Sequence, residues 1–386
     1  MSFLTHLECS LCGRRYPGAR LHNLCACGGP LLARYDLAGV ARALDPGRLK
    51  SRPPTMWRYR ELLPVGPDAL PVTLGEGFTP LLPCDRLGGR LGLGRLYVKD
   101  ESRNPTGTFK DRGASCAVSR LRELGAGGVV LATAGNAGAA WAAYSARAGL
   151  ELQVFVARDA PHTTGGECRV RGATVHQVEG LISEAGAQAA ALARERGWFD
   201  ASTFKEPYRV EGKKTLGLEI AEQLGWRLPS AIVYPTGGGV GLIGMWKAFS
   251  ELSLLGWAGP PRVRMVAVQA EGCAPVVKAL REGRDRVEPW PGARTIASGI
   301  RVPNPLAGAL ILRVLRESGG DAVAVSDGEA LDALRWCART EGLFLCPEAA
   351  AALAGLKRLA ASGALGAGDT VVLVNTGTGL KHVDLA

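Results

Sequence analysis

Residues 104–113, Asn-Pro-Thr-Gly-Thr-Phe-Lys-Asp-Arg-Gly, carry a lysine, Lys110, where a polar turn meets a predicted helix over residues 111–124. The N-terminus of a helix has positive electrostatic potential, which disfavours an ammonium ion relative to a neutral amine. The neutral amine is the form that attacks a carbonyl carbon to give a Schiff base. The alternative is that Thr108 caps the helix and that Lys110 lies in solvent. The segment therefore indicates a nucleophilic lysine.

Residues 236–241, Thr-Gly-Gly-Gly-Val-Gly, follow an apolar strand pattern and precede a predicted helix. Glycines let successive backbone N–H groups converge on an anion, and the helix N-terminus adds positive potential. The loop lacks the Lys-Ser/Thr pair of nucleotide P-loops and the spacing of the dinucleotide fingerprint. It therefore predicts a site for a single phosphate monoester; the alternative is a tight strand-to-helix turn. The residues predicted to bind the phosphate are Gly237, Gly238, Gly239, Val240 and Gly241.

Two further turns carry polar side chains that suit a ligand. Asn136 follows a predicted strand in the small-residue segment 132–138, although an Asn at a helix start is also an ordinary N-cap. Thr376 follows the last predicted strand, in the segment 375–381. A lysine, a phosphate loop and polar groups for a ring are the parts that a pyridoxal-phosphate site needs, because the cofactor supplies the chemistry and the protein positions it.

Alternating strands and helices must position these residues. The predicted strands are residues 96–99, 129–133, 152–156, 174–178, 231–234, 264–268 and 371–375; the predicted helices after residue 124 are 137–148, 186–196, 212–224, 240–251 and 330–340. Strands that are each followed by a helix indicate parallel sheets with right-handed crossovers. The fold class is therefore α/β. The motifs fall at or beside the carboxyl ends of strands, where open parallel sheets bind ligands.

Several long motifs in a fixed order give the chain a specific resemblance. It resembles the threonine synthase family, which are pyridoxal-phosphate enzymes of the tryptophan-synthase-β-like fold (fold type II), from about residue 8 to the C-terminus. The motifs that carry the resemblance are residues 74–81, the lysine segment, and residues 206–215, 235–247, 341–348 and 375–381. The resemblance implies two open, mostly parallel α/β domains and a homodimer. We expect a Cys-rich ribbon over residues 1–35, a large cofactor-binding domain over 36–104 and 200–386, and a smaller domain over 105–199.

The resemblance also implies a role for each candidate residue. Lys110 would form the Schiff base and shuttle protons, Asn136 would contact the 3-hydroxyl of pyridoxal phosphate, and Thr376 would face the pyridine nitrogen. Thr133 would bind the substrate carboxylate. Arg209, with Lys205 close in sequence, is the candidate for binding the substrate phosphate, since an Arg fork can grip phosphate in a bidentate manner. The alternative is that Arg209 pairs with Glu206 or Glu211 on the surface.

The reaction that the resemblance implies is that of a lyase in threonine biosynthesis. O-phospho-L-homoserine and water would give L-threonine and phosphate. Two alternatives remain from the sequence: another pyridoxal-phosphate replacement or elimination enzyme, such as a cysteate synthase or a hydroxy-amino-acid dehydratase, and a zinc-ribbon interaction protein on a degenerate enzyme fold.

Four of the ten cysteines fall within the first 27 residues, as Cys9, Cys12, Cys25 and Cys27. A Cys-x-x-Cys pair followed by a Cys-x-Cys pair, each next to glycine, is a ligand set for tetrahedral zinc. The alternative is a reduced, metal-free knuckle that packs on the rest of the chain. In either case the cysteines are expected to be structural.

Charge and hydropathy exclude several classes of protein. The net charge is +10, but the basic residues are scattered along the chain, which argues against nucleic-acid binding and suits a small anionic substrate. No run of 18 apolar residues predicts a membrane span, and the N-terminus lacks the pattern of a secretory signal. We therefore expect a cytoplasmic enzyme.

Overall fold

The computed structural model describes residues 2–158, 162–179 and 182–385. The chain forms two compact units: the first contains Met1–Gly77 and Lys110–Thr215, and the second contains Phe78–Phe109 and Leu216–Ala386. These bounds differ from the predicted domains. Residues 1–77 lie together in the first unit, so the ribbon is not a separate body, and residues 105–109 lie in the second unit.

The described residues form strands and helices in an alternating order. The strands are β1 (Leu4–Cys9), β2 (Arg15–Pro17), β3 (Leu31–Tyr35), β4 (Leu81–Pro83), β5 (Arg95–Asp100), β6 (Val129–Thr133), β7 (Leu152–Ala157), β8 (Thr174–Val178), β9 (Phe199–Asp200), β10 (Ala231–Pro235), β11 (Arg264–Ala270), β12 (Asp321–Val325) and β13 (Thr370–Asn375). The helices are α1 (Leu37–Ala43), α2 (Asp85–Leu91), α3 (Lys110–Glu123), α4 (Asn136–Ala148), α5 (His162–Arg169), α6 (Ile182–Arg196), α7 (Tyr208–Gln223), α8 (Val240–Leu254), α9 (Pro275–Arg281), α10 (Gly308–Glu317), α11 (Asp327–Glu341) and α12 (Pro347–Ala361). The predicted α/β fold class is confirmed.

The N-terminal ribbon of the first unit is a three-stranded antiparallel sheet in the order β2-β1-β3. Its inner face is apolar, and Leu7, Leu31 and Ala33 share one hydrophobic core with α3, α4, β6 and β7. A sheet this small buries too little apolar area to be stable alone. The shared core explains why the ribbon belongs to the first unit.

A four-stranded parallel sheet in the order β8-β7-β6-β9 forms the centre of the first unit. Strand β7 is buried along its whole length, which explains its continuous apolar character. Helix α4 contains the alanines Ala139, Ala140, Ala142 and Ala143, all buried. Small side chains let this helix pack closely beside the sheet. Its N-terminus follows β6 after a turn of two residues.

The second unit is built on a six-stranded sheet in the order β12-β11-β10-β13-β5-β4, in which only the edge strand β4 is antiparallel. Its core joins the strands to α12, which is apolar on nearly all sides and buried from Pro347 to Leu356. Strands β10 and β13 are hydrogen-bonded neighbours in parallel. The loops that follow their carboxyl ends, residues 236–239 and 376–378, therefore lie at the same edge of the sheet.

The predicted elements agree with the structure to within four residues. The largest differences are at two helix starts: α6 begins at Ile182 rather than at the predicted residue 186, and α7 begins at Tyr208 rather than at residue 212. The elements that were not predicted individually are helices α1, α2, α5, α9, α10 and α12 and strands β1, β2, β3, β4, β9 and β12. Within the described residues, none of the helices combines the length and the apolar character that crossing a membrane requires.

Candidate active site

The glycine loop of the second unit has the geometry of an anion-binding turn. Gly239 is the N-cap of α8, its φ is 77°, and as a glycine it offers no side chain to cap the helix. The first turn of α8 contains no acidic residue. The start of this fifteen-residue helix is therefore electropositive, and an anion is stabilised there.

Sterics require glycine at several positions of this loop. A Cβ on Gly237 would lie 2.9 Å from the carbonyl oxygen of Gly299. A Cβ on Gly239 would overlap Ile311, and one on Gly241 would overlap the phenol of Tyr234. The hydroxyl of Thr236 is used inside the protein, since it donates to the carbonyl of Tyr234 at 3.0 Å. Other residues of the second unit therefore pack against one side of the loop. The loop can offer only backbone groups to a ligand on its other side.

Tyr234 is a site residue that the sequence did not reveal. Its ring is buried, and burial, followed by the charge of Glu101, raises the pKa of the phenol. The phenol therefore stays protonated, and it packs against Gly241. The side chain comes from the end of β10, so its position under the loop depends on the strand-to-helix turn.

Thr376 is buried after β13, where its Oγ1 lies 3.4 Å from the Sγ of Cys346. Burial and the charge of Glu348 raise the pKa of Cys346, so this partner is a neutral thiol. Asn375 beside it donates to Asp100 at 2.8 Å. The predicted hydroxyl is thus held in place by a neutral sulfur, and Cys346 is a neighbour that the sequence did not reveal.

The backbone directly before Lys110 is fixed to the loop that carries Thr376. The N–H of Phe109 donates to the carbonyl of Thr376 at 3.0 Å, and the N–H of Thr378 donates to the carbonyl of Gly107 at 2.9 Å. Thr108 and Gly377 form an isolated antiparallel bridge. These bonds lie within the second unit, and the lysine is the next residue along the chain.

Lys110 is the first residue of α3 and is half-buried. Its carbonyl accepts a hydrogen bond from the Nζ of Lys213 at 3.2 Å. Lys213 is buried, and burial, followed by the positive charge of Lys110, lowers its pKa well below the ordinary lysine value. A Cβ on Gly113 would lie 2.6 Å from this Nζ, so the missing side chain of Gly113 makes room for Lys213. Lys213 is a further neighbour that the sequence did not reveal.

Asn136 is the first residue of α4, and the N-cap is Gly135, which makes no side-chain capping bond. The interpretation of Asn136 as an ordinary N-cap is therefore wrong. The turn from Ala134 to Ala137 is half-buried, so a ligand can reach it. Thr133 accepts a hydrogen bond from the N–H of Gly135 and donates to its carbonyl, both at 3.1 Å. Its hydroxyl shapes the turn.

The two cations predicted to bind the substrate phosphate are each paired with a carboxylate. Arg209 is 5% exposed, and its Nε donates to Glu206 at 2.6 Å. The guanidinium also donates to Thr203 at 3.1 Å and to the carbonyl of Ala201. Lys205 pairs with Asp200 at 2.8 Å and is partly exposed. The alternative interpretation was a pairing of Arg209 with Glu206 on the surface; the pair forms, but it is buried. This geometry favours a structural role for Arg209, and its assignment to the substrate stays a prediction.

The four N-terminal cysteines come together in the ribbon. The Sγ atoms of Cys9, Cys12, Cys25 and Cys27 all lie within 4.8 Å of one another. All are free thiols.

The chain is similar to known proteins over most of its length. The family described as pyridoxal-phosphate dependent enzyme matches residues 72–377. The threonine synthase of Methanosarcina acetivorans is 38% identical over 97% of this chain and 92% of its own length. That of Methanocaldococcus jannaschii is 37% identical over 98% of this chain and 93% of its own length. Among solved structures, threonine deaminase isoform 2 from Solanum lycopersicum superimposes with a TM-score of 0.68 at 23% identity, covering 80% of this chain and 87% of that one.

Proposed function

Since this chain belongs to the family of pyridoxal-phosphate-dependent enzymes and, within it, to the threonine synthases, we propose that it converts O-phospho-L-homoserine and water to L-threonine and phosphate. The single observation that carries the substrate is the identity of 37–38% to threonine synthases over 97–98% of the chain. The chain is a pyridoxal-phosphate-dependent lyase of amino-acid biosynthesis. The similarity to threonine deaminase at 23% identity concerns the fold alone.

The residues present fit pyridoxal phosphate. The electropositive start of α8 has a glycine N-cap and no acidic residue in its first turn, and this suits one phosphate group. Gly237, Gly239 and Gly241 leave no space for side chains in the loop. A hydroxyl with a neutral thiol neighbour, Thr376 beside Cys346, suits an unprotonated pyridine nitrogen, because neither group carries a charge at neutral pH. A carboxylate at that position would instead favour the protonated ring.

The proposed chemistry divides between the cofactor and the chain. When bound, pyridoxal phosphate withdraws electrons from the carbon atoms of an attached amino acid. Lys110 would hold the cofactor covalently and, once released, would use its amine to take and return protons at the substrate carbons. Asn136 would donate to the ring 3-oxygen. Thr133, through the turn that it shapes, would present backbone N–H groups to the substrate carboxylate.

Recognition of the substrate phosphate is assigned to Lys205 rather than to Arg209. Lys205 is partly exposed and needs only to leave Asp200 to reach an anion. Arg209 would have to abandon a buried carboxylate, and a buried charge without its partner is strongly destabilising.

The experiment that tests the function is phosphate release from a panel of O-phosphohomoserine, O-phosphoserine, threonine and serine. We expect equimolar threonine and phosphate from O-phosphohomoserine and no such products with Lys110→Ala. Borohydride reduction of the holoenzyme followed by peptide mapping should tag Lys110. Turnover of threonine or serine alone would instead identify a dehydratase, and a tag on another lysine would overturn the site.

Two expectations rest on the resemblance and the composition alone. We propose a homodimer, which light scattering of the purified protein tests directly. We also propose a cytoplasmic location, which fractionation of the native cells tests.

A further inference from the structure

The cysteine cluster of the ribbon has the dimensions of a metal site. The Sγ of Cys27 lies 3.5 Å from those of Cys9 and Cys12, and the Sγ of Cys12 lies 3.5 Å from that of Cys25. Zinc–sulfur bonds of about 2.3 Å in a tetrahedron place sulfur atoms about 3.8 Å apart. The four thiols therefore already surround a position that a zinc ion would fill.

The sulfur atoms form one cluster rather than two pairs. Cys12 approaches both Cys25 and Cys27, and Cys27 approaches both Cys9 and Cys12. Two structural disulfides would draw each thiol towards a single partner. A shared approach of all four is the arrangement that a central ion requires.

The backbone around the cluster also suits thiolate ligands. The N–H groups of Leu11 and Cys12 point at the Sγ of Cys9, at 3.4 and 3.5 Å. Gly13 and Gly28 turn the chain after each pair with φ of 73° and 81°, conformations that other residues rarely adopt. A Cβ on Gly29 would lie 2.7 Å from the Sγ of Cys9, so only glycine leaves space for this sulfur.

The segment between the two cysteine pairs, residues 13–24, contains β2 and binds other parts of the first unit. The Nδ2 of Asn23 donates to the carbonyls of Asp200 and Lys205, each at 2.7 Å. From α3, Arg120 donates to the carbonyl of Gly18 at 2.8 Å. One side chain of the segment 13–24 thus fixes both ends of the segment 200–205, which contains the proposed phosphate-binding residue.

We propose that Cys9, Cys12, Cys25 and Cys27 bind one structural Zn²⁺, and that the ion makes the segment 13–24 a rigid brace for the segment 200–205. Metal binding would add to the packing of the ribbon on the first unit, because a ribbon this small gains stability by closing around an ion. The zinc site is independent of the proposed reaction; only the significance of the braced segment rests on the proposed function.

The first experiment measures zinc in protein purified under reducing conditions. We expect about one zinc per chain. Cys12→Ala should reduce this at least tenfold; Cys12 is exposed, so the change removes a ligand without opening the core. Cys84→Ala, at a buried cysteine of the second unit, is the matched control and should keep its zinc. Metal-free wild-type protein with four reactive ribbon thiols would overturn the site.

The second experiment tests the brace by hydrogen exchange of peptides covering residues 200–207. Cys12→Ala and Asn23→Ala should both accelerate exchange there, whereas only Cys12→Ala should lose zinc. Cys84→Ala should leave these peptides unchanged. Unchanged exchange in zinc-free Cys12→Ala would overturn the brace while leaving the metal site intact, and activity is not needed for either measurement.

Discussion

At the scale of the single residue, the most consequential side chain outside the predicted set is Lys213. It is a buried amine whose Nζ lies 3.2 Å from the carbonyl of Lys110, with Arg209 and Arg112 also near. Burial is the main cause of the lowered pKa of Lys213, and repulsion by the neighbouring cations adds to it, whereas the charge of Asp111 opposes it.

Lys213→Met should stabilise the protein at neutral pH. The folded state lowers the pKa of Lys213, so folding releases a proton that the unfolded chain keeps up to its ordinary lysine pKa. The stability of the wild type therefore rises with pH until that value is passed, and the advantage of the variant should shrink over the same range. Urea unfolding at pH 7 and near pH 10 measures this.

The exposed Lys278→Met serves as control and should show little effect at either pH. A gain for Lys213→Met that is equal at both pH values would assign the effect to packing instead of charge.

Arg209 should behave as a structural residue. Arg209→Met leaves Glu206 as an uncompensated buried charge, which should lower the free energy of unfolding by about 3–5 kcal/mol. Arg158→Met breaks an ion pair with Glu179 in which both side chains are more than 70% exposed, and it should cost less than about 1 kcal/mol. Denaturant unfolding of both variants gives the comparison.

Activity separates this interpretation from a direct role of Arg209 in binding. In the fraction of the Arg209→Met protein that remains folded, kcat/KM for the phosphorylated substrate should fall no more than cofactor occupancy does. A selective loss of several hundredfold with unchanged stability would restore Arg209 as the phosphate ligand.

At the scale of the element, helices α3 and α7 cross with their backbones in contact. A Cβ on Gly212 of α7 would overlap the carbonyl of Arg112 in α3, and a Cβ on Gly113 would lie 3.0 Å from the Cβ of Arg209. Each helix therefore contributes a glycine at the crossing. Because Lys110 begins α3, this crossing fixes the start of the helix that carries it.

Gly212→Ala should separate the two helices. Overpacking of this kind costs about 1–3 kcal/mol, more than alanine gains in helix propensity. Gly186→Ala in α6, where a Cβ would meet nothing within 4 Å, should instead stabilise by about 0.5–1 kcal/mol. Thermal unfolding of the two variants should move the melting temperature in opposite directions; a rise in both would contradict the close crossing.

Local patterns predicted the elements well where a strand, a turn and a helix follow in sequence. The turns at Gly239 and Gly135 belong to such units, so the motifs could be placed without the structure. The start of α7 was placed late because Glu206 caps it: its carboxylate accepts from the N–H groups of Tyr208 and Arg209. That carboxylate also pairs with Arg209, and burial, which the sequence does not display, keeps the pair from solvent.

Residues that approach from elsewhere in the chain were the ones missed. Cys346 meets Thr376 across 30 positions, and Lys213 meets Lys110 across 103 positions. Residues so far apart in sequence share no local pattern from which their contact could be predicted. Helix α12 was missed for a related reason: it is apolar on nearly all sides, so it has no amphipathic pattern to detect.

At the scale of the whole molecule, the cofactor should contribute to stability through mass action. A ligand at one hundred times its Kd stabilises the folded state by about 2.7 kcal/mol. Removal of pyridoxal phosphate should therefore lower the melting temperature by several degrees. Gly239→Ala should abolish most of this difference, since its positive φ and the contact with Ile311 leave no room for a Cβ in the phosphate loop.

Gly259→Ala, at an exposed glycine with no atom within 4 Å of a Cβ, is the control and should keep the full cofactor effect. Calorimetry of the apo and holo forms of all three proteins measures it. Equal cofactor stabilisation in Gly239→Ala and wild type would remove the loop at residues 236–241 from the site.

The hydrogen bonds that join residues 107–109 to residues 376–378 limit which sequence changes the segment before Lys110 can accept. Gly107 and Phe109 are fixed to Thr378 and Thr376 residue by residue. Inserting or deleting a single amino acid between Gly107 and Lys110 would shift the lysine out of register with the anchor that precedes it. We therefore expect this stretch to tolerate a change of side chain better than a change of length, except at Gly107, whose φ of 73° and contact with Thr378 favour glycine.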